Sequence, residues 1–79
     1  MTELLEKTTL VDARGLSCPM PIVRTAQAIR PLPAGSLIEV LATDAGSQKD
    51  FVAWCRSTGH ELVEQTSNDA VYRFVIRRK

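Results

Sequence analysis

The apolar positions of this chain change period several times, and each change marks an element. Residues 8–14 alternate loosely and are rich in Thr and Val, which predicts a first strand ending at Arg14-Gly15. Ile22, Val23, Ala26 and Ile29 then recur at helical spacing, so a helix is predicted from about Pro19 to Arg30. Pro31-Leu32-Pro33-Ala34-Gly35 cannot continue that helix and carries a turn. Leu37-Ile38-Glu39-Val40-Leu41-Ala42 is the clearest strand, and its apolar run, broken only by Glu39, predicts a central place in the sheet. Ser47 with Asp50 three residues later reads as a weak capping box, after which Phe51, Val52 and Cys55 share a helical face and Gly59 supplies the C-cap. Glu61–Thr66 and Val71–Arg77 flank Ser67-Asn68-Asp69-Ala70, which predicts a hairpin with a loop of a few residues.

The order β-α-β-α-β-β opens with a βαβ unit, whose two strands are parallel, and closes with an antiparallel pair. The expected fold is therefore α/β (α+β): a two-layer sandwich of a four-stranded mixed sheet with both helices on one face. In the last strand Tyr72, Phe74 and Ile76 should point one way and Val71, Arg73, Val75 and Arg77 the other. If the helices cover the first set, the second leaves a partly apolar face toward solvent, either an ordinary open sheet face or a docking surface.

At 79 residues the chain is long enough for one domain, with residues 1–7 read as a flexible N-terminus. An apolar share of 44% beside 24% charged residues is that of a globular chain. The net charge of +1 gives no field of the kind that marks a nucleic-acid or membrane surface. Arg77-Arg78-Lys79 is too short for a polybasic arm and reads as a solubilising chain end. No apolar run approaches the length of a membrane span or a signal segment, so the chain reads as cytoplasmic, with its two cysteines expected as free thiols. Two cysteines and one histidine, widely spaced, do not make a closed zinc site, and the dispersed glycines offer no phosphate cradle. No metal and no cofactor are expected.

The candidate chemistry centres on Cys18 in Gly15-Leu16-Ser17-Cys18-Pro19-Met20-Pro21. Proline is tolerated in a first helical turn because the N–H it lacks would have no partner there. Cys18 should therefore sit at or next to the N-cap, where the helix dipole favours a thiolate or a persulfide anion. Pro19 and Pro21 carry no N–H and leave Met20 and Ile22 as donors, so modest activation is expected. Arg14 and Arg24 are candidate modifiers that would favour the anion further. Cys55, on the stripe with Phe51 and Val52, reads as packing. His60, the only imidazole, lies where a helix hands over to a strand and reads as satisfied locally rather than as a base for Cys18. Asp12, Asp44 and Asp50 read first as turn or capping residues.

The run Leu10-Val11-Asp12-Ala13-Arg14-Gly15-Leu16-Ser17-Cys18-Pro19-Met20-Pro21 resembles the signature of the TusA-like (SirA-like) sulfur-carrier family. The likeness continues through the Gly35 turn, Thr43-Asp44, Lys49-Asp50-Phe51, Cys55-Arg56-Ser57-Thr58-Gly59-His60-Glu61-Leu62 and Phe74-Val75-Ile76-Arg77. Cys-Pro-x-Pro alone is a weak motif; joined to Asp12-x-x-Gly15-Leu16 and Gly59-His60 it becomes specific. The resemblance implies the same two-layer fold and a sulfurtransferase that works as a protein-to-protein persulfide relay, with little small-molecule turnover alone. It implies Cys18 as the sulfur-bearing residue and Gly15, Pro19 and Pro21 as the residues that shape its loop. Implied partners are a donor such as a cysteine desulfurase or a rhodanese-like protein, and an acceptor such as a DsrE-like protein. The receiving pathway would be tRNA 2-thiouridine formation, sulfur oxidation or molybdenum-cofactor metabolism. Where members commonly have Asp-Pro after the second strand, this chain has Asp44-Ala45-Gly46, which implies a more flexible loop.

Two rival readings stand beside it. A non-catalytic protein- or RNA-binding module would use the sheet face and the basic C-terminus, although near-neutral charge and only four aromatic residues weigh against RNA. A thiol sensor would require both Cys18 and Cys55.

Overall fold

The computed structural model describes residues 8–79; the stretch read as a flexible N-terminus, residues 1–7, lies outside the described residues. Strand β1 spans Thr9–Ala13, helix α1 Met20–Ile29, β2 Leu37–Ala42, helix α2 Ser47–Thr58, β3 Glu61–Asn68 and β4 Val71–Arg77. The four strands form one sheet in the order β1-β2-β4-β3. β1 and β2 are parallel, whereas β4 is antiparallel to both β2 and β3. The sheet is therefore mixed, as the βαβ opening and the closing hairpin require.

Register turns the alternation of each strand into a common face. Val11 lies opposite Val40 and Val40 opposite Phe74, while Ile38 lies opposite Ile76 and Ile76 opposite Leu62. Ile38, Val40, Ala42, Phe74 and Ile76 are all 0% exposed and pack with Ile29 of α1 and with Phe51 and Cys55 of α2. Both helices thus cover the same side of the sheet. The Phe51 ring stacks on Phe74 at 4.5 Å, and Trp54 meets the edge of Phe51 at 6.2 Å. This cluster welds α2 to β4.

The other face carries Leu10, Leu37, Glu39, Leu41, Arg73 and Val75. Arg73 pairs with Glu39 and, at 3.3 Å, with Glu64; Arg77 pairs with Glu61 at 3.2 Å. Val75 lies in register between Glu39 and Glu64 and is only 9% exposed. An ion-paired lattice spans three strands around it.

Helix α1 begins at Met20 with Pro19 as its N-cap, which leaves Cys18 next to the cap as expected. Two local features differ from the sequence expectation. The hairpin loop is tighter than expected: pairing continues to Asn68 opposite Val71, leaving a two-residue turn at Asp69 and Ala70 with φ of 53° and 65°. Positive φ at both positions matches a type I′ turn, which suits strand twist but is usually advertised by glycine. β3 also shifts register between Leu62 and Glu64, so Val63 is an extra residue and stands 43% exposed.

At the far end of α2, Gly59 takes φ 88° and its N–H donates to the Cys55 carbonyl, closing the helix as expected. His60 follows. Its Nδ1 accepts the Lys79 backbone N–H at 3.0 Å, and its ring lies 5.2 Å from that of Trp54. Arg78 Nε donates to the Ile29 carbonyl at the end of α1.

Phe51→Ala should cost about 3–5 kcal/mol, the range for emptying a fully buried aromatic site. Urea denaturation of the two proteins measures this, and a loss under about 1 kcal/mol would contradict the packing described. For His60, burial, then Arg78 and Lys79, lower the pKa from 6.5. A folded-state pKa below the unfolded value means stability present above pH 6.5 and lost as pH falls below it. An NMR titration of the ring should give a midpoint under 6.5, and one at or above that value would contradict the environment assigned to it.

Candidate functional site

Because β1 and β2 run parallel, the loops that leave them emerge at the same edge of the sheet, and α1 and α2 both start there. The carboxyl ends of parallel strands are where open α/β sheets bind ligands. The β1–α1 loop carries Cys18.

That loop is shaped from both ends. Asp12 Oδ1 accepts the Arg14 backbone N–H at 3.2 Å and Nε at 2.8 Å, while Oδ2 accepts Nη2 at 2.8 Å. The pairing holds the Asp12 carboxyl down at about 2. Gly15 has φ 81°, a left-handed conformation in which a side chain would be strained. Its N–H donates to Thr43 Oγ1 at 2.9 Å, which ties the first loop to the second. Leu16 N–H donates to the Ala13 carbonyl and Met20 N–H to that of Ser17. Pro19 joins Cys18 through a cis peptide bond, and Pro21 is buried in the first turn of α1, where its carbonyl accepts Thr25 Oγ1 at 2.8 Å.

Cys18 is exposed and a free thiol. Its Sγ donates to Asp50 Oδ2 at 2.8 Å, a contact between residues 32 apart in sequence. The hydrogen bond to Asp50 raises the Cys18 pKa, with burial and the charges of Asp50 and Asp44 adding to it. This reverses the expected activation. The Met20 N–H, one of the two donors expected to favour a thiolate, is already spent on Ser17. Arg14 is engaged by Asp12, and Arg24 lies exposed on α1. The charges that bear on the sulfur are negative.

The second loop forms a turn around Asp44. Asp44 Oδ2 accepts the Gly46 N–H at 3.1 Å, and its carbonyl accepts the Ser47 N–H at 3.0 Å. Gly46 keeps an ordinary φ of −67° and caps α2; what it supplies is clearance, since a Cβ there would stand 3.0 Å from Asp44 Oδ2. The expected capping box does not form. Ser47 is the first residue of α2, and its buried Oγ has no hydrogen-bond partner, while the Asp50 carboxylate turns to Cys18. Asp12 and Asp44 have the turn roles expected of them; Asp50 does not.

Cys55 is 4% exposed, and burial pushes its thiol up to about 11. His60 is remote from the sulfur. Asp50 and Thr58 stand at opposite ends of α2, eight residues and so about 12 Å apart along its axis, and His60 lies beyond Thr58.

Asp50 and Thr43 are the site residues that sequence reasoning missed. The signal available was topological: a parallel β1–β2 pair brings the residues after β2 and in the first turn of α2 beside the β1–α1 loop. Among the described residues no cluster of His, Cys, Asp or Glu could hold a metal ion, and no helix is long and apolar enough to cross a membrane.

Comparison with known proteins agrees with this geometry. The family model for sulfurtransferase TusA matches residues 9–78. The sulfur carrier protein TusA of Pseudomonas syringae is 39% identical, with 100% of this chain and 98% of the relative covered. That of Allochromatium vinosum is 40% identical over 86% of this chain and 90% of the relative. A crystal structure of a SirA-like protein from Desulfitobacterium hafniense superposes with a TM-score of 0.78 at 25% identity, covering 87% of this chain and 95% of that one. With a two-helix, four-stranded fold shared with that structure and a family match across all of its described elements, this chain belongs to the TusA family of sulfur carriers.

Proposed function

We propose that the chain accepts a sulfane sulfur on Cys18 as a persulfide and relays it to a thiol of an acceptor protein. The observation that carries this reading is the contrast between its two thiols: Cys18 stands exposed on the loop at the carboxyl end of β1, whereas Cys55 is sealed in the core. Exchange between proteins asks only for access and a thiolate. It needs no deep cleft.

In the loading step the Cys18 thiolate attacks the terminal sulfur of a donor persulfide. A new S–S bond forms on Cys18, the donor's S–S bond breaks, and its electron pair stays on the donor cysteine, which leaves as a thiolate. The proton of the Cys18 thiol passes to solvent or to that departing sulfur. In unloading, an acceptor thiolate attacks the terminal sulfur and Cys18 leaves in turn. No net oxidation occurs. A thiol of raised pKa is present less often as thiolate, but each thiolate is the better nucleophile and the poorer leaving group. Such a site loads on a strong donor and holds its cargo.

The donor in this reading is a cysteine desulfurase or a rhodanese-like protein, and the acceptor a protein with an accessible cysteine. The rival RNA-binding reading loses support from the sheet face, where Arg73 and Arg77 are neutralised by Glu39, Glu64 and Glu61.

Incubation with a cysteine desulfurase and cysteine, or with polysulfide, should add the mass of one sulfur atom to wild type and to Cys55→Ser, removable by reductant. Cys18→Ser should gain none while keeping its circular dichroism spectrum. Equal loading of Cys18→Ser, or a wild type that stays unloaded with both donors, would contradict the proposal.

A further inference from the structure

Asp50 stands in the first turn of α2, where a carboxylate suits the helix dipole, but among the described residues its side chain makes no capping hydrogen bond to that helix. The N-cap of α2 is Gly46, no side chain caps the helix, and the Asp50 backbone N–H already donates to the Gly46 carbonyl at 3.0 Å. Its carboxylate is spent on Cys18 Sγ. Among the described residues the charges that act on the sulfur are those of Asp50 on α2 and Asp44 on the β2–α2 loop; of the cations on the neighbouring elements, Arg14 is held by Asp12, and Arg24 on α1 and Lys49 and Arg56 on α2 are exposed. An ionised carboxylate beside a nucleophilic thiol opposes its ionisation. A site built only for fast attack would not place one there.

We propose that Asp50 is a positioning residue that holds the empty Cys18 as an oriented thiol and lets it go once a sulfur is loaded. This rests on the reading of Cys18 as the sulfur-bearing residue. The empty thiol has one proton, and Asp50 accepts it. Loading replaces S–H with S–S, so Sγ no longer has a hydrogen to donate and the contact with Asp50 is lost. The terminal sulfur, more acidic than a thiol and anionic at neutral pH, is repelled by Asp50 and Asp44 and turns outward to solvent. One carboxylate thus does two things. It shields the empty carrier from oxidation and alkylation, which follow thiolate character, and it presents the cargo to the acceptor.

The test is the pH dependence of Cys18 alkylation by iodoacetamide in the full chain, read by peptide mass so that Cys55 is scored separately. Asp50→Asn keeps the size of the side chain and removes its charge. Its profile should shift to lower pH, with alkylation at neutral pH about three- to ten-fold faster than wild type. Asp44→Asn, which leaves the Cys18–Asp50 contact in place, should shift it less. A profile that overlays wild type or moves to higher pH overturns the proposal. Wild type alone gives a second reading free of any folding defect: native Cys18 should ionise at higher pH than the same residue in urea, and equality or the reverse order also overturns it.

After loading with polysulfide, alkylation of the terminal sulfur by iodoacetamide, in which Cys18 is not the leaving group, should proceed at similar rates in wild type and Asp50→Asn, because that sulfur has left the carboxylate. A loaded rate that depends on Asp50 as strongly as the empty rate overturns the release. If no variant loads, the carrier reading and the release on loading fall together, while the alkylation profile still decides whether Asp50 holds the thiol.

Discussion

Parallel pairing of β1 with β2 is the constraint on which the rest depends. It sends two loops and two helix starts to one edge of the sheet, and it places Gly15 beside Thr43 and Cys18 beside Asp50. The pairing is in turn secured by burial: Val11 against Val40 and Ala13 against Ala42 hold the register, and a slip of one residue would turn Val11 and Ala13 out to solvent. Antiparallel β4 then completes the inner face with Phe74 and Ile76, against which Phe51 anchors α2. The depth of Phe51 in the core fixes the start of α2, and so the position of Asp50 one residue before it.

Two effects compete at Cys18, and their ranges decide the outcome. A helix N-terminus favours an anion by about 0.3–1 kcal/mol, spread over its free N–H groups. Here Pro19 and Pro21 have no N–H, and that of Met20 is turned to Ser17. Asp50 acts in direct contact, and electrostatic interaction falls with distance, so the carboxylate wins. The resting state is a thiol. For a carrier this is a coherent design, because a sulfur carrier must resist adventitious chemistry while empty yet yield to a committed donor.

Much of the fold was legible because its signals are local. The alternation of Phe74 and Ile76 against Arg73 and Val75, and the helical spacing from Ile22 to Ile29, depend on neighbours a few residues away. The two-residue turn was harder to read, since Asp69-Ala70 lacks the glycine that usually marks positive φ, and the Val63 bulge has no sequence signature. At the site, the exposed and buried fates of Cys18 and Cys55 followed from one lying in a proline-flanked loop and the other on an apolar stripe. The sign of the electrostatics at Cys18 did not. It rests on a partner 32 residues away whose local context, a Ser three residues before it, suggested a cap. A helix start is read from its own residues, but the charge it faces belongs to another element.

The central claim is that the fold exists to present one sulfur atom on Cys18 and to keep Cys55 out of the chemistry. The most direct measurement is a crystal structure of the chain after loading with polysulfide. The account predicts an added sulfur on Cys18 Sγ, pointing to solvent and away from Asp50, with Cys55 unchanged in the core. An added sulfur on Cys55, or an unmodified Cys18 in a chain that carries the extra mass, would contradict it.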